Sequence, residues 1–264
     1  MGDSTSVISR FESKYVISES EAQAIAQYVR GVCSPDRHAQ ADGRYTVNNL
    51  YFDTQDLRFY HDTRCKRFTR FKPRVRYYGT ECDGTLWLEL KHKFKNVTWK
   101  VRRPVPLTDW ARLLLDFRAD GGRETMRREL VSSFEDALLV FGAEPVLFVR
   151  YVREPYVSDI DAYARITFDR RLSYRLAEGS ADLFTNAPYS YYDDAVSMLH
   201  SDDESPVLLE IKTETRVPNW VVALIRRFNL TQRGFSKYCN AMEHSMTFGA
   251  PAYRLATPFV ERSL

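Results

Sequence analysis

The chain has 264 residues, of which 44% are hydrophobic and 28% are charged, a composition that argues against a disordered chain. Its net charge is only +3, so the overall charge excludes neither an acidic nor a basic partner. No apolar run reaches the length of a membrane span, and the four cysteines and five histidines have no zinc-ligand spacing. These features predict a cytoplasmic protein without a thiol-bound metal.

The first half of the chain predicts one strand, one helix and four further strands. Residues 7–17 alternate between polar and apolar side chains, as expected of a half-buried strand. Ser18 followed by Glu21 resembles a capping box, and apolar residues after it recur at helical spacing. Four more strand-like segments follow at 45–53, 66–78, 85–94 and 97–105.

The second half mixes predicted helices and strands. Helical patterns at 108–118 and 124–141 are followed by strands at 146–156 and 161–172, a polar loop at 173–205, a strand at 206–214, helices at 219–229 and 236–246, and an irregular tail at 247–264. Because the strands come in neighbouring runs and not in strict β-α-β alternation, an antiparallel α+β fold is predicted. No linker divides the chain, so one domain spanning 1–264 is expected.

Charged side chains recur with period two on the predicted strands. Arg74 and Arg76 share one face, while Val75 and Tyr77 take the other. The same alternation places charges on one face of the later strands, as in Glu89, Lys91 and Lys93; Lys100 and Arg102; Arg165, Thr167 and Asp169; and Glu210 and Lys212.

Two interpretations of these charged faces are open. An antiparallel sheet often has one solvated face, which also reads as alternating polar residues. Alternatively, helices cover the outside of a barrel whose lumen carries the charges. Residues 66–76 and 91–103 each contain six cations and no anion, and such segregation suggests an anionic ligand.

Six short motifs occur in the order that is typical of one family. They are RFESKY (10–15), LYFDT (50–54), RVRYYG (74–79), LELKHK (88–93), LEIKT (209–213) and FSKY (235–238). The set resembles VTC domains, the polyphosphate polymerase domains of the vacuolar transporter chaperone complex and its bacterial relatives. These domains belong to the triphosphate tunnel metalloenzymes, or CYTH superfamily. The resemblance covers about residues 8–243 and implies a closed antiparallel barrel of eight strands with flanking helices.

The resemblance also implies roles for individual residues. Glu210 matches the carboxylate that holds Mn²⁺ or Mg²⁺, and Glu12 is the second expected metal ligand. The residues expected to act in phosphoryl transfer are Arg74, Arg76, Lys91, Arg153 and Arg165. The residues expected to bind substrate are Arg10, Lys14, Glu89, Lys100, Tyr151, Lys212, Ser236 and Lys237.

The reaction that the resemblance implies is transfer of the γ-phosphoryl group of ATP to a growing polyphosphate chain, with release of ADP. Hydrolytic members of the superfamily carry a metal-binding Glu where this chain has Arg10, which favours the polymerase. The alternatives are an inorganic triphosphatase or nucleoside triphosphatase, and a non-catalytic module that binds polyphosphate.

The expected partners are ATP and inorganic polyphosphate or pyrophosphate. The resemblance to the eukaryotic vacuolar transporter chaperone complex leaves open a membrane-protein partner that this chain does not encode. Nucleic acid is not expected, because the aromatic residues fall mostly on the apolar faces and form no stacking platform.

Overall fold

The computed structural model describes residues 11–82, 84–95, 97–113, 133–161, 163–177, 183–184, 187–192, 206–214 and 216–248. Arg10, the second part of the predicted helix at 108–118, the first half of the predicted helix at 124–141 and nearly all of the predicted tail at 247–264 lie outside these ranges. None of the helices within the described ranges is long and apolar enough to cross a membrane.

The described elements agree closely with the predicted strands and helices. In chain order they are β1 (Phe11–Ile17), α1 (Glu19–Val29), β2 (Cys33–Pro35), β3 (Tyr45–Asp53), α2 (Arg58–Arg64), β4 (Thr69–Tyr78), β5 (Thr85–Phe94), β6 (Val97–Pro106), a 3-10 turn (Leu107–Asp109), α3 (Phe134–Phe141), β7 (Glu144–Ser158), β8 (Arg165–Leu176), β9 (Ser190–Tyr191), β10 (Val207–Thr213), α4 (Asn219–Arg227) and α5 (Lys237–Phe248).

The strands form one antiparallel sheet, which confirms the predicted antiparallel arrangement. Its main path has the order β1-β10-β8-β7-β3-β4-β5-β6, while β2 pairs with β7 and β9 pairs with β8. The sheet curls around its charged face, as expected of twisted strands. The main path therefore contains eight strands, the number that the family resemblance implies.

The predicted closure of the barrel is wrong, because no ladder joins β1 to β6 in the part of the chain that the structure describes. The backbone N–H of Arg233 donates to the carbonyl of Lys14 at 2.8 Å, so a C-terminal segment covers part of the edge of β1. On the other side, β6 contains Pro104 and Pro106, which have no N–H to donate. The barrel is thus open along a seam between β1 and β6.

Most of the apolar core lies on the outer face of the sheet, under α1, α3 and α4. Val75, Leu86 and Leu88 pack with Phe134 and Leu138 of α3. Helices α1 and α4 pack in the same way over β8 and β10. Helix α5 instead packs on the inner face, where Tyr238 stacks on the cavity-lining Tyr51. Since the outer helices cover the apolar faces, the charged faces point into the barrel. The interpretation as a solvated sheet face is therefore wrong.

Three short elements, β2, α2 and β9, occur where none was predicted. The start of α2 is held by Asp53, whose carboxylate accepts the backbone N–H groups of Phe59 and Tyr60 at 2.8 and 2.9 Å. The same carboxylate accepts the Tyr238 hydroxyl at 2.6 Å. The start of α2 is thus held by Asp53, and Asp53 is itself held by a contact from α5 that a local pattern does not reveal. Strand β8 also continues to Leu176, inside the predicted loop.

Candidate functional site

The inner face of the sheet surrounds a cavity of about 440 Å³, which is within the size range of ligand sites. Among the described residues, eleven Lys and Arg side chains line it, against three Asp and Glu side chains. The cationic lining residues are Lys14, Lys72, Arg74, Arg76, Lys91, Lys100, Arg102, Arg153, Arg165, Lys212 and Lys237.

One group of cations surrounds Glu89, which is fully buried. Glu89 lies directly opposite Arg74 on β4 and Arg102 on β6, so strand register places it between two cations. Arg74 donates to Glu89 Oε2 through Nε at 2.8 Å and Nη2 at 2.6 Å. Lys100 Nζ donates to Oε1 at 3.0 Å, and Arg76 lies 3.9 Å away. We call these five residues the Glu89 cluster.

The Glu89 cluster keeps its carboxylate ionised. Burial by itself would raise the pKa of Glu89, but Arg74 and Arg76 outweigh it and hold the pKa well below its usual value. Burial also lowers the pKa of Lys100 to about 8, although Glu89 opposes that shift. Glu89 therefore positions cations at the cavity wall and is itself no proton acceptor near neutral pH.

A second group of cations is held by Asp169 and Glu210, on β8 and β10. Arg153 donates to both oxygens of Asp169 at 2.7 Å, and this forked geometry is the stronger form of such contacts. Lys237 lies 2.6 Å from Asp169 and donates to Glu210 at 2.8 Å. Lys14 lies 3.3 Å from Glu210. These five residues are the Glu210 cluster.

The Glu210 cluster is also fully ionised at neutral pH. Burial would raise the pKa of Glu210, yet Lys237 and Lys14 hold it well below its usual value. Burial likewise opposes the lowered pKa of Asp169, which Arg153 and Lys237 produce. The pKa of Lys237 is raised in return, because Asp169 and Glu210 outweigh its burial. Removing one member would leave a buried charge without compensation.

Glu12 links the two ends of the open sheet through the lumen. It lies 3.3 Å from Lys14 on its own strand and accepts a hydrogen bond from Lys91 of β5 at 3.1 Å. Lys212 lies directly opposite Glu12 and donates to Glu210 at 3.1 Å. Although β1 and β6 do not pair, side chains from β1 and β5 thus meet inside the barrel.

Tyr151 and Ser236 also lie at the cavity. The hydroxyl of Tyr151 accepts a hydrogen bond from Arg76 at 3.3 Å, and Lys237 Nζ lies 4.7 Å from its ring centroid. Ser236 Oγ accepts the backbone N–H of Cys239 at 3.3 Å, a contact typical of a helix N-cap. The start of α5 therefore carries both Ser236 and Lys237 into the lumen.

The structure brings the predicted residues together, with two exceptions. Arg165 lines the cavity but is exposed, and its guanidinium packs 6.0 Å from the Tyr163 ring centroid, outside both clusters. Arg10 lies outside the described residues. The remaining predicted residues line the cavity or, in the case of Glu89, support its wall.

Some charged residues of the site, such as Arg102, Asp169 and Lys72, were not among the predicted site residues. Arg102 belongs to the Glu89 cluster and Asp169 to the Glu210 cluster, and period-two alternation had already placed both on charged strand faces. Lys72 lies two residues before Arg74 on β4 and donates to Ser236 Oγ at 2.9 Å. Extending the alternation from Arg74 toward the start of β4 would have identified it.

The carboxylates can hold a divalent ion only with help from the substrate. No group of three or more His, Cys, Asp or Glu side chains suited to a metal occurs among the described residues. Glu12 and Glu210 both lie 3.3 Å from Lys14 Nζ, so two ionised carboxylates share one region of the lumen. This donor set fits Mg²⁺ or Mn²⁺ that takes its other ligands from phosphate oxygens and water.

Comparison with solved structures gives remote likenesses. A candidate adenylate cyclase from Bacillus halodurans has 12% identity and a TM-score of 0.47, over 87% of this chain and 94% of its own. The PH1819 protein from Pyrococcus horikoshii OT3 has 13% identity and a TM-score of 0.45. The match covers 90% of this chain and 98% of the PH1819 chain. At these values neither likeness bears on the substrate. No curated protein matches the chain.

A family model gives a closer assignment. The model of the VTC domain matches residues 9–246, a region that contains all the lining residues of the cavity. The chain therefore belongs to the VTC domain family.

Proposed function

We propose that this chain is a polyphosphate polymerase that transfers the γ-phosphoryl group of ATP to inorganic polyphosphate. The observation that carries the proposal is the surplus of cations around the cavity, where eleven Lys and Arg face three Asp and Glu. Glu89 and Asp169 lie behind the wall and offset only part of that surplus. Membership of the VTC domain family supports a function related to polyphosphate or triphosphate.

The cationic surplus favours a polyanion over a ligand with a single charge. Two unit charges 4 Å apart interact by about 4 kcal/mol at an effective dielectric of 20, so like charges this crowded repel strongly. The internal carboxylates relieve some of the repulsion, and a chain of phosphates would relieve the rest. Arginine provides forked contacts to phosphate oxygens, and four of the lining arginines are Arg74, Arg76, Arg102 and Arg153.

The proposed reaction needs positioning and charge stabilisation from the protein. An ionised terminal oxygen of the acceptor polyphosphate attacks the γ-phosphorus of ATP. The bond from that phosphorus to the β,γ-bridging oxygen breaks, and ADP leaves with the bridging oxygen. Arg74, Arg76 and Arg153 would neutralise the equatorial oxygens in the transition state. Since the acceptor oxygen carries no proton at neutral pH, no general base is required.

A metal ion would be held by Glu210 and Glu12 together with substrate oxygens. When bound, Mg²⁺ or Mn²⁺ supplies further charge neutralisation on the phosphates. The protein itself contributes Lys14 and Lys237, which hold Glu210 in place. Lys91, which was predicted to act in phosphoryl transfer, and the predicted substrate-binding residues Lys100 and Lys212 would orient the rest of the polyphosphate.

The proposal is tested by incubating the purified protein with ATP and MnCl₂ or MgCl₂, with and without pyrophosphate as primer. Products are resolved on a gel that separates polyphosphates, and ADP and orthophosphate are measured in parallel. The expected result is ADP together with polymers longer than three phosphates. Glu210→Gln is expected to bind tripolyphosphate and to lose turnover.

Two outcomes would contradict the polymerase. Orthophosphate released in step with ADP, without polymer under any metal or salt condition, would assign the protein to the hydrolases. Tight binding of tripolyphosphate without any ATP turnover would instead assign it as a polyphosphate-binding module.

A further inference from the structure

Three lysines lie directly opposite one another on neighbouring strands of the lumen. Lys72 of β4 pairs with Lys91 of β5, and Lys91 pairs with Lys100 of β6. Like charges in directly opposed positions destabilise a sheet. A row of this kind requires anions close by.

Two of the three lysines have carboxylate partners, and the third has a hydroxyl. Lys91 donates to Glu12 at 3.1 Å and Lys100 donates to Glu89 at 3.0 Å. Lys72 donates to Ser236 Oγ at 2.9 Å. Within the described residues, no carboxylate forms an ion pair with Lys72, although its side chain lines the same cavity.

The groups that face Lys72 from the packed elements supply no negative charge. They are Lys91 of β5, Lys14 of β1, Arg70 of its own strand, and the Cys239 thiol of α5. Burial raises the pKa of Cys239, so this thiol is neutral near pH 7. Burial in particular, together with the neighbouring cations, lowers the pKa of Lys72 from 10.5 to about 7.

We propose, resting on the function proposed above, that Lys72 and Ser236 form a phosphate-binding subsite in which Lys72 becomes protonated when a polyphosphate binds. A phosphate oxygen next to Lys72 supplies the negative charge that no described carboxylate provides. The serine hydroxyl, fixed as the N-cap of α5, holds the ammonium toward the lumen. Binding of the polyanion is therefore coupled to uptake of one proton from solution.

The direction of this coupling follows from the two states of Lys72. Above pH 7 the free protein has mostly neutral Lys72, so binding must take up a proton and weakens as pH rises. Below pH 6 Lys72 is already charged, and this contribution to proton uptake vanishes. Lys100, whose pKa is about 8, also takes up protons, so Lys72 must be isolated by substitution.

The experiment is calorimetric titration of the metal-free protein with tripolyphosphate, in buffers of different ionisation enthalpy. Wild type is compared with Lys72→Arg, which keeps the charge at every pH used. At pH 8 wild type is expected to take up more protons than Lys72→Arg, by up to about one proton, and at pH 6 this difference should be small. Wild-type affinity should fall relative to Lys72→Arg by about tenfold for each pH unit above 7.

Two further variants make the result specific. Lys66→Arg changes an exposed lysine between α2 and β4 and should match wild type in proton uptake. Lys72→Met should bind tripolyphosphate more weakly at pH 6 and lose the excess uptake at pH 8, which tests the subsite even if Lys72→Arg fails to fold. Equal uptake by wild type and both Lys72 variants would overturn the inference.

This test separates the subsite from the polymerase. If wild type shows the excess proton uptake but makes no polymer, the subsite stands and the proposed reaction fails. If wild type does not bind tripolyphosphate at any pH, both the subsite and the proposed function are wrong.

Discussion

Buried carboxylates hold the cations of the lumen in fixed positions. Glu89 contacts Arg74, Lys100 and Arg102, which come from the two neighbouring strands, β4 and β6. Preformed contacts of this kind reduce the side-chain entropy that binding would otherwise cost. At the scale of single residues, the acidic side chains of this basic cavity therefore act as positioning groups.

Removal of either arginine of the RxR pair should weaken phosphate binding. Arg74→Ala and Arg76→Ala each delete a charge-assisted contact worth about 1.5–3 kcal/mol, or about 10- to 150-fold in the Kd for tripolyphosphate. Circular dichroism should show a native fold, because Glu89 keeps Lys100 and Arg102. The matched control is Arg103→Ala, which removes an exposed ion pair with Glu135. Wild-type affinity in both lumen variants would exclude the assigned phosphate site.

The buried carboxylates should make stability depend on acid pH. The pKa of Glu89 lies well below its unfolded value near 4, so its contribution is complete above that value and is lost as pH falls through the folded pKa. We expect the free energy of unfolding in urea to decrease steadily from pH 5 to pH 3. Glu89→Gln should flatten this decrease. An identical slope in Glu89→Gln would contradict the assignment.

The residues of the site could be predicted in part, because alternation along a strand is local. Arg74, Arg76 and Glu89 follow from period two and from the family motifs. The acidic partner of each cation cannot be predicted in this way. Arg153, for example, meets Asp169 only through the register of β7 with β8. Lys72 lies within reach of the same local alternation, but its contact with Ser236 could not be predicted, because Ser236 comes from a distant segment of the chain.

At the scale of elements, strands with one apolar face were predicted well. The bounds of β3 and β5 agree with the predicted 45–53 and 85–94. Helix α2 was missed because it is only seven residues long and is stabilised by Asp53 of β3. The open seam could not be predicted either, because closure depends on contacts between strands at opposite ends of the sheet.

Helix α5 is fastened to the barrel by the contact between Tyr238 and Asp53. Tyr238→Phe deletes a hydroxyl that donates to a buried carboxylate at 2.6 Å. We expect a loss of about 1.5–3 kcal/mol in the free energy of unfolding, measured with urea. Tyr191→Phe is the control, because its exposed hydroxyl accepts only from Arg171 among the contacts described for it. Equal stability of Tyr238→Phe and wild type would show that this contact does not hold α5.

At the scale of the whole molecule, positive charge is concentrated inside while the net charge stays near +3. Long-range attraction of a polyanion is therefore focused on the cavity. Fields of this kind raise the local concentration of an oppositely charged ligand and are screened by salt.

Salt and ligand should have opposite effects on the protein. Tripolyphosphate at 100 times its Kd should stabilise the fold by about 2.7 kcal/mol, seen as a rise in Tm. Raising KCl from 50 to 500 mM should weaken tripolyphosphate binding and reduce this rise, because the attraction is electrostatic. Adenosine, which has no phosphate, is the control ligand. A Tm rise that is independent of salt would contradict electrostatic recognition.

The seam between β1 and β6 has a topological consequence for a linear polymer. A ring of strands that is hydrogen-bonded all the way round can be entered only by a free end, so a long chain must be threaded through it. A ring with a gap also admits the middle of a chain from the side. Here the partly buried ion pair between Glu12 and Lys91 crosses the interior near β1, so a chain that enters from the side must replace this contact with its own anionic groups. For the proposed polyphosphate ligand, entry from the side would make chain length no barrier to entry or release.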